Sequence, residues 1–219
     1  MKIIDLKATI LENNDQDANR LRQELKDKKL FYMNVMSSPG SGKTTTILKT
    51  IECLKDNFKI GVMEADIDSD VDALTMTEHG IRAIQLHTGG MCHLDADMSR
   101  QGLRELECEG LDAVILENVG NLVCPAEFDA GAVRNVAILS VPEGHDKPLK
   151  YPLMFETCQA VLINKIDAMP AFDFDLEKVK EYIAMRNPGA KVFPVSARTG
   201  EGFDAWTKWL AEEIKNWIS

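Results

Sequence analysis

The stretch Leu30-Phe31-Tyr32-Met33-Asn34-Val35-Met36-Ser37-Ser38-Pro39-Gly40-Ser41-Gly42-Lys43-Thr44 decides the fold. Its first half, Leu30 to Met36, is a short run of mostly apolar residues of strand length. Its second half matches G-x-x-x-x-G-K-[ST], except that Ser37 stands where the first glycine is usual. A strand, a glycine-rich turn and a helix in that order form a phosphate-binding loop. The glycines let backbone N–H groups turn inward around a β-phosphate, and the helix starting near Gly42 points its positive end at it. Lys43 is placed to reach the β and γ oxygens and Thr44 to hold Mg²⁺, with Gly40, Ser41, Gly42 and Thr45 completing the cradle.

Outward from this loop, strand-like apolar runs recur at Lys59 to Ala65, Ala83 to His87, Ala113 to Leu116, Val136 to Val141, Ala160 to Asn164 and Lys191 to Val195. Nearly all are apolar on both faces. Helix-length segments separate them: Gly42 to Leu54, Val71 to Gly80, Asp95 to Glu109, Asp173 to Asn187 and Phe203 to Ile218. Strands buried on both sides and joined by helices predict an α/β fold with a doubly wound, mostly parallel sheet, whose ligands sit at the carboxyl ends of the strands. Residues 1–29 carry apolar side chains at Ile3, Leu6, Ile10, Leu11, Leu21 and Leu25, which predicts a leader of one or two solvent-facing helices before a domain over residues 30–219. Two irregular segments, Asn121 to Gly131 and Pro142 to Pro152, are the longest, and loops of that kind inside a compact domain are often functional.

Composition narrows the partners. A chain of 219 residues buries a core without staples, and its net charge of −10 argues against a sequence-independent grip on nucleic acid or anionic lipid. Met1 to Glu12 is interrupted by Lys2, Asp5, Lys7 and Glu12, unlike a signal peptide, and no apolar run approaches the roughly 18 to 20 residues of a membrane-spanning helix. Five cysteines without framework spacing suit a reducing compartment, so the expected location is the cytoplasm.

The sixth run ends in Asn164-Lys165-Ile166-Asp167, the guanine-recognition motif of GTPases, well downstream of the phosphate loop. The Asp167 carboxylate can accept from both N1–H and the exocyclic amino group of guanine. Adenine offers neither, so a buried carboxylate would be left unpaired and ATP should bind poorly. Lys165 can lay its stem along the base and Asn164 can brace the loop. Val195-Ser196-Ala197-Arg198 resembles the S-A-[KR] loop whose backbone meets guanine O6, which assigns Ser196 and Ala197 to the same corner.

Two strands end on acidic residues: Asp66-Ile67-Asp68 and Glu117-Asn118-Val119-Gly120. A carboxylate there can bind Mg²⁺ or orient the attacking water, and Gly120 can offer its N–H to a γ-phosphate. Asp66 and Glu117 are favoured over Asp68, Asp70 and Asp72, which also suit a solvated helix start. With no in-chain arginine finger in view, slow intrinsic turnover is expected.

Cys92-His93 follows one strand end and Cys124-Pro125 closes the loop after another. Thiolate and imidazole are ligands for Zn²⁺ or Ni²⁺, and loops from neighbouring strands could gather Cys92, His93 and Cys124. The fourth position could be water, or the same cysteine of a second copy on a two-fold axis. Cys53, Cys108 and Cys158, with His79 and His145, are expected to pack.

The strings S-S-P-G-S-G-K-T, M-C-H-L-D-A, E-N-V-G-N-L-V-C-P, E-G-H-D-K-P-L-K-Y-P and N-K-I-D together resemble the HypB family of hydrogenase nickel-incorporation GTPases, over nearly the whole chain after the N-terminal helix. The resemblance implies a P-loop NTPase of the SIMIBI type that dimerises through its nucleotide faces and carries Ni²⁺ or Zn²⁺ on Cys92, His93 and Cys124. It implies the accessory protein HypA and the large subunit of a nickel-iron hydrogenase as partners. It also implies that Asp146-Lys147-Pro148-Leu149-Lys150 reaches the nucleotide of the other protomer, where a plain charged loop is the alternative. Many members carry a cysteine-rich start or a histidine-rich stretch, whereas Met1 to Lys29 has no Cys or His, so a separate nickel store is not expected.

Three other readings compete. A urease-type accessory GTPase usually presents a single Cys-x-His element, a small-molecule kinase does not need Asn164 to Asp167, and a GTP-dependent binding switch would use its cysteines structurally. Metal titration in GDP and GTP states separates the last from a metal carrier.

Overall fold

The computed structural model describes residues 6–66 and 71–219. Asp68 and Asp70 lie outside the described residues, as does the side chain of Asp72. Among the described residues, seven strands form one sheet in the order β3-β2-β4-β1-β5-β6-β7, with every pairing parallel. The strands are β1 (Phe31–Ser37), β2 (Ile60–Asp66), β3 (Ala83–His87), β4 (Ala113–Glu117), β5 (Arg134–Ser140), β6 (Ala160–Asn164) and β7 (Lys191–Pro194). The reversal of order about β1 puts the phosphate loop where ligands bind in doubly wound sheets. All seven residues of β1 are buried, while the edge strands β3 and β7 are partly exposed.

Side chains alternate across the sheet. On one face, Phe31, Met33, Val35, Val62 and Ile115 pack with Ile47, Ile51 and Leu54 of α2 (Lys43–Leu54) and with Phe203, Trp206, Leu210 and Ile214. On the other face, Tyr32, Met63, Val114 and Leu116 pack with Leu21 and Leu25, and Met36, Leu139, Val161 and Ile163 pack with Phe155, Val179 and Ile183.

The N-terminal segment forms one helix, α1 (Leu6–Asp27), and it is not a solvent-facing one throughout. Ala18, Leu21 and Leu25 are at most 2% exposed. Each buried leucine contributes about 2 kcal/mol of transfer free energy. The covering helix is α4 (Ala96–Glu105), which α1 crosses on the same face of the sheet. The remaining crossovers are α3 (Val71–Glu78), α8 (Leu176–Arg186) and α9 (Phe203–Ile218). The two long irregular segments hold short helices: α5 (Cys124–Glu127) in the first, and α6 (Lys147–Lys150) in the second, which leads into α7 (Pro152–Glu156). No described helix is long and apolar enough to cross a membrane.

Packing holds for part of the remaining set. Cys158 is fully buried, and burial pushes its thiol up to about 12. The His145 ring lies against Phe174 and Tyr182. Cys53 and His79, however, are exposed. Both sit on the outer surface of helix-bearing segments, where the apolar stripe faces the other way.

Candidate functional site

A cavity of about 420 Å³ opens at the carboxyl ends of β1, β2 and β4, lined by Gly40, Gly42, Lys43, Thr44, Asp66, Glu117 and Gly120 together with Glu64 and Gln85. The phosphate loop forms its floor. Ser37 explains its own departure from the usual glycine: its hydroxyl accepts from Lys43 Nζ at 3.1 Å and from Ser41 Oγ at 2.6 Å, and donates to the Ser38 carbonyl. Ser38 Oγ in turn donates to Glu143, whose other carboxylate oxygen accepts from Ser140 N and Oγ at 2.7 Å each. Ser37 and Glu143 are therefore framework of the loop. Glu143 was missed in the sequence, although it belongs to the quoted string E-G-H-D-K.

Gly42 is in the left-handed region at φ 92, and a Cβ there would stand 2.7 Å from Asn164 Nδ2. That near contact exists because Asn164 crosses from the base corner to the loop. Its Nδ2 donates to the Ser41 carbonyl at 2.9 Å, and its Oδ1 accepts from Ala197 N at 3.1 Å. Lys165, left-handed at φ 63, donates from Nζ to the Gly40 carbonyl at 2.6 Å. Asp167 Oδ1 accepts from Ser196 Oγ at 2.6 Å, and its other oxygen pairs with Arg198 Nε at 3.1 Å. The structure thus brings together Asn164, Lys165, Asp167, Ser196 and Ala197, as the two motifs predict.

On the magnesium side, Thr44 Oγ1 donates to Glu117 Oε1 at 3.0 Å, and Asp66 lines the same cavity from the end of β2. A hydroxyl beside carboxylates is a hard oxygen set, which fits Mg²⁺. Glu64 is 2% exposed on β2, in register with Glu117 on β4 and Gln85 on β3. The signal for it was available: a glutamate in the middle of the otherwise apolar run Ile60 to Ala65. Gly120 lies against the phosphate loop, where an added Cβ would meet Pro39 Cγ at 3.0 Å and Pro39 N at 3.2 Å.

The two sequence-distant cysteines meet. The Cys92 and Cys124 thiols lie near enough to interact, and the neighbouring thiol, then burial, raises the Cys124 thiol above its ordinary value. Asn121 Oδ1 accepts from Val123 N at 2.8 Å and from Cys124 N at 3.3 Å, which fixes the start of α5. His93 sits beside them, its Nδ1 3.9 Å from Cys92 Sγ, but its ring stacks on Phe128 at 3.7 Å and 15°. Burial lowers the His93 imidazole below the ordinary histidine value, which favours the neutral form that a metal ligand needs. Among the described residues, no group of three His, Cys, Asp or Glu side chains is gathered to hold a metal ion. The fold joins the two thiols and leaves the imidazole stacked alongside.

Residues 31–194 match the family model described as CobW/HypB/UreG, nucleotide-binding domain. The chain belongs to this family, on its HypB branch. It is 46% identical over 214 residues to the hydrogenase maturation factor HypB of Azotobacter chroococcum mcd 1, covering 97% of this chain and 70% of that one. The crystal structure of HypB from Helicobacter pylori in complex with nickel superposes with a TM-score of 0.87 at 39% identity, covering 93% of this chain and 96% of that chain. HypB from Archaeoglobus fulgidus gives 0.86 at 36% identity, covering 93% and 100%. With its phosphate loop and guanine corner, this HypB-type chain is a P-loop GTPase.

Proposed function

We propose that this GTPase is a nickel carrier for hydrogenase maturation, binding Ni²⁺, or Zn²⁺ in its place, on Cys92, His93 and Cys124, and coupling that metal's affinity to the state of its nucleotide. The observation that carries the reading is the convergence of Cys92 and Cys124, 32 residues apart in sequence, near enough to interact at the nucleotide side of the sheet. Cys124 follows Gly120 in the same loop, and Gly120 touches the phosphate loop at Pro39. A γ-phosphate that draws on Gly120 N–H therefore pulls on the segment that positions one thiol. One relative, HypB from Helicobacter pylori, was solved in complex with nickel, which supports nickel as the ion carried here.

In this reading Lys43 and the loop N–H groups hold the phosphates, and Thr44, Asp66 and Glu117 hold Mg²⁺. When bound, that ion neutralises charge developing on the phosphate oxygens. Asn164, Lys165, Asp167, Ser196 and Ala197 select guanine. His93 must turn off Phe128 to join the two thiols. The protein works as a homodimer: Met91, Val123, Leu149 and Leu153 are apolar and between 39% and 48% exposed on the loops and short helices that follow strand ends of the nucleotide side. The Asp146–Lys150 pair at 2.6 Å belongs to the same surface. HypA and the large subunit of a nickel-iron hydrogenase are the expected partners, in the cytoplasm.

The test measures Ni²⁺ affinity by chelator competition and mass by light scattering, with GDP and with a slowly hydrolysed GTP analogue. Coupling requires both quantities to differ between the two states. Identical values leave a plain GTP-cleaving switch. Loss of hydrogenase activity on deletion, restored by added nickel, tests the cargo.

A further inference from the structure

Asn14, on helix α1, touches both loops that carry the thiols. Its Oδ1 accepts from Ala96 N at 3.0 Å, and its Nδ2 donates to the Asp129 carbonyl at 3.0 Å. Ala96 opens α4, just after Cys92-His93-Leu94-Asp95, and Asp129 follows α5, which begins at Cys124. The two bonds span 82 and 115 residues of sequence. Asn14 itself is only 9% exposed. A single side chain of the N-terminal helix thus closes a bridge between the segment behind Cys92 and the segment behind Cys124.

Neighbouring contacts stiffen the bridge. The Arg22 guanidinium holds both oxygens of the Asp129 carboxylate at 2.5 Å, and its Nε donates to the Ala132 carbonyl at 2.9 Å. From the other loop, Arg100 of α4 reaches back to the Asp17 carbonyl and the Glu24 carboxylate on α1. Beneath these bonds, Leu21 and Leu25 pack with Leu94 and Val119, residues that adjoin His93 and Gly120. Leu94 is fully buried, and a Cβ on Gly131 would meet Leu21 Cδ2 at 2.6 Å. The helix and the two loops are packed without slack.

We propose that α1 is a clamp for the metal site, with Asn14 as the positioning residue that sets the spacing of the Cys92 and Cys124 loops. The proposal rests on the metal reading of those cysteines and deepens it. Two thiolates bind one Ni²⁺ only at a narrow separation, and groups that orient ligands without touching the ion change affinity about 10-fold to 100-fold when removed. Among the described residues, none of α1 lines the nucleotide cavity. The Asn14 hydrogen bonds go to the two metal loops, and α1 reaches the cavity wall through the packing of Leu21 and Leu25 with Val119. The clamp therefore acts chiefly on the metal, and a force that lifts α1 would release cargo before GDP.

The test uses the full chain with Ni²⁺ alone as probe. Asn14→Leu removes both hydrogen bonds, and Asn14→Asp keeps the acceptor for Ala96 N–H while removing the donor to Asp129. Nickel affinity is expected to fall about 10-fold to 100-fold in Asn14→Leu and by an intermediate factor in Asn14→Asp, with a changed sulfur-to-nickel charge-transfer band and unchanged GDP affinity. Arg22→Gln gives a second route should Asn14→Leu fold poorly, with the same direction expected. Wild-type nickel affinity and spectrum in the folded variants overturn the clamp, as does a proportionate fall in nickel and GDP affinity, which marks a role in general stability. Cys124→Ala is run beside them: nickel binding that survives it removes the metal reading itself, whereas a Cys124-dependent site indifferent to Asn14 and Arg22 removes only the clamp.

Discussion

Asp167 Oδ1 accepts the Ser196 hydroxyl at 2.6 Å, so the carboxylate proposed to read the base is held from the loop that carries Ala197. Arg198 steadies the second oxygen at 3.1 Å. The rotamer is fixed before guanine arrives. Asp167→Asn keeps the shape and the Ser196 partner but turns one acceptor into a donor, which repels the exocyclic amino group of guanine and suits the carbonyl that xanthine carries in its place. GTP affinity should fall by about 100-fold, and xanthosine triphosphate should gain. Competition against a fluorescent GDP checks this, and unchanged GTP affinity would count against the base assignment.

Gly120→Ala should separate hydrolysis from binding. The new Cβ would press on Pro39 Cγ and N at 3.0 and 3.2 Å, and the backbone of the phosphate loop yields less easily than a side chain. The loop that carries Gly120 must move away by a few tenths of an ångström. GTP turnover should drop about 10-fold, the scale of a misplaced γ-phosphate contact, with GDP affinity nearly unchanged. Equal losses in both would place the effect in the phosphate loop.

Alkaline pH should destabilise the protein through Cys158. Its thiol ionises near 9.0 in an unfolded chain and is pushed up to about 12 by full burial. Below 9.0 it is neutral in both states and its contribution to stability is fully present. Between about 9 and 12 only the unfolded chain loses the proton, so stability falls as pH rises, by about 1.4 kcal/mol per pH unit for one proton. Burial raises the Tyr32 hydroxyl too, which adds the same sign above 10.0. Urea midpoints taken from pH 8 to 11 should decline, and Cys158→Ala should flatten part of that decline. An equal slope in the variant would exclude the thiol as its source.

Trp206 ties α9 to α2 through a buried bond from Nε1 to Thr50 Oγ1 at 2.9 Å. Trp206→Phe removes the donor and leaves a gap beside Phe193 and Trp209, which pack on its rings. A loss of about 2 to 3 kcal/mol is expected from the two effects together. Urea unfolding should be run at fixed GDP, because bound ligand shifts the midpoint on its own.

How much of this was visible in the residues depends on how local the cause is. The strands stood out because parallel strands are covered on both faces, which leaves runs such as Val136 to Val141 and Ala160 to Asn164 with hardly a polar residue. The phosphate loop and Asn164 to Asp167 were legible because each must present fixed backbone or side-chain geometry to one ligand. Ser37 looked like a defect until its hydroxyl was seen to receive Lys43 and Ser41. The work of α1 was invisible because Asn14 finds its partners 82 and 115 residues away, and nothing in a helical run of mixed polarity marks one asparagine as a bridge. The His93 stack on Phe128 was hidden for the same reason, since no periodicity links those positions.

In the proposed GTP-binding role, the bonds from Asn164 and Lys165 to the carbonyls of Ser41 and Gly40 make two recognition tasks share one piece of backbone. A guanine that tugs on the base corner tugs on the phosphate cradle as well. Exchange of spent for fresh nucleotide therefore cannot proceed as a leisurely peeling from the purine end. It has to pass through a concerted loosening of both halves, which makes this corner the natural place for any exchange-promoting protein to push.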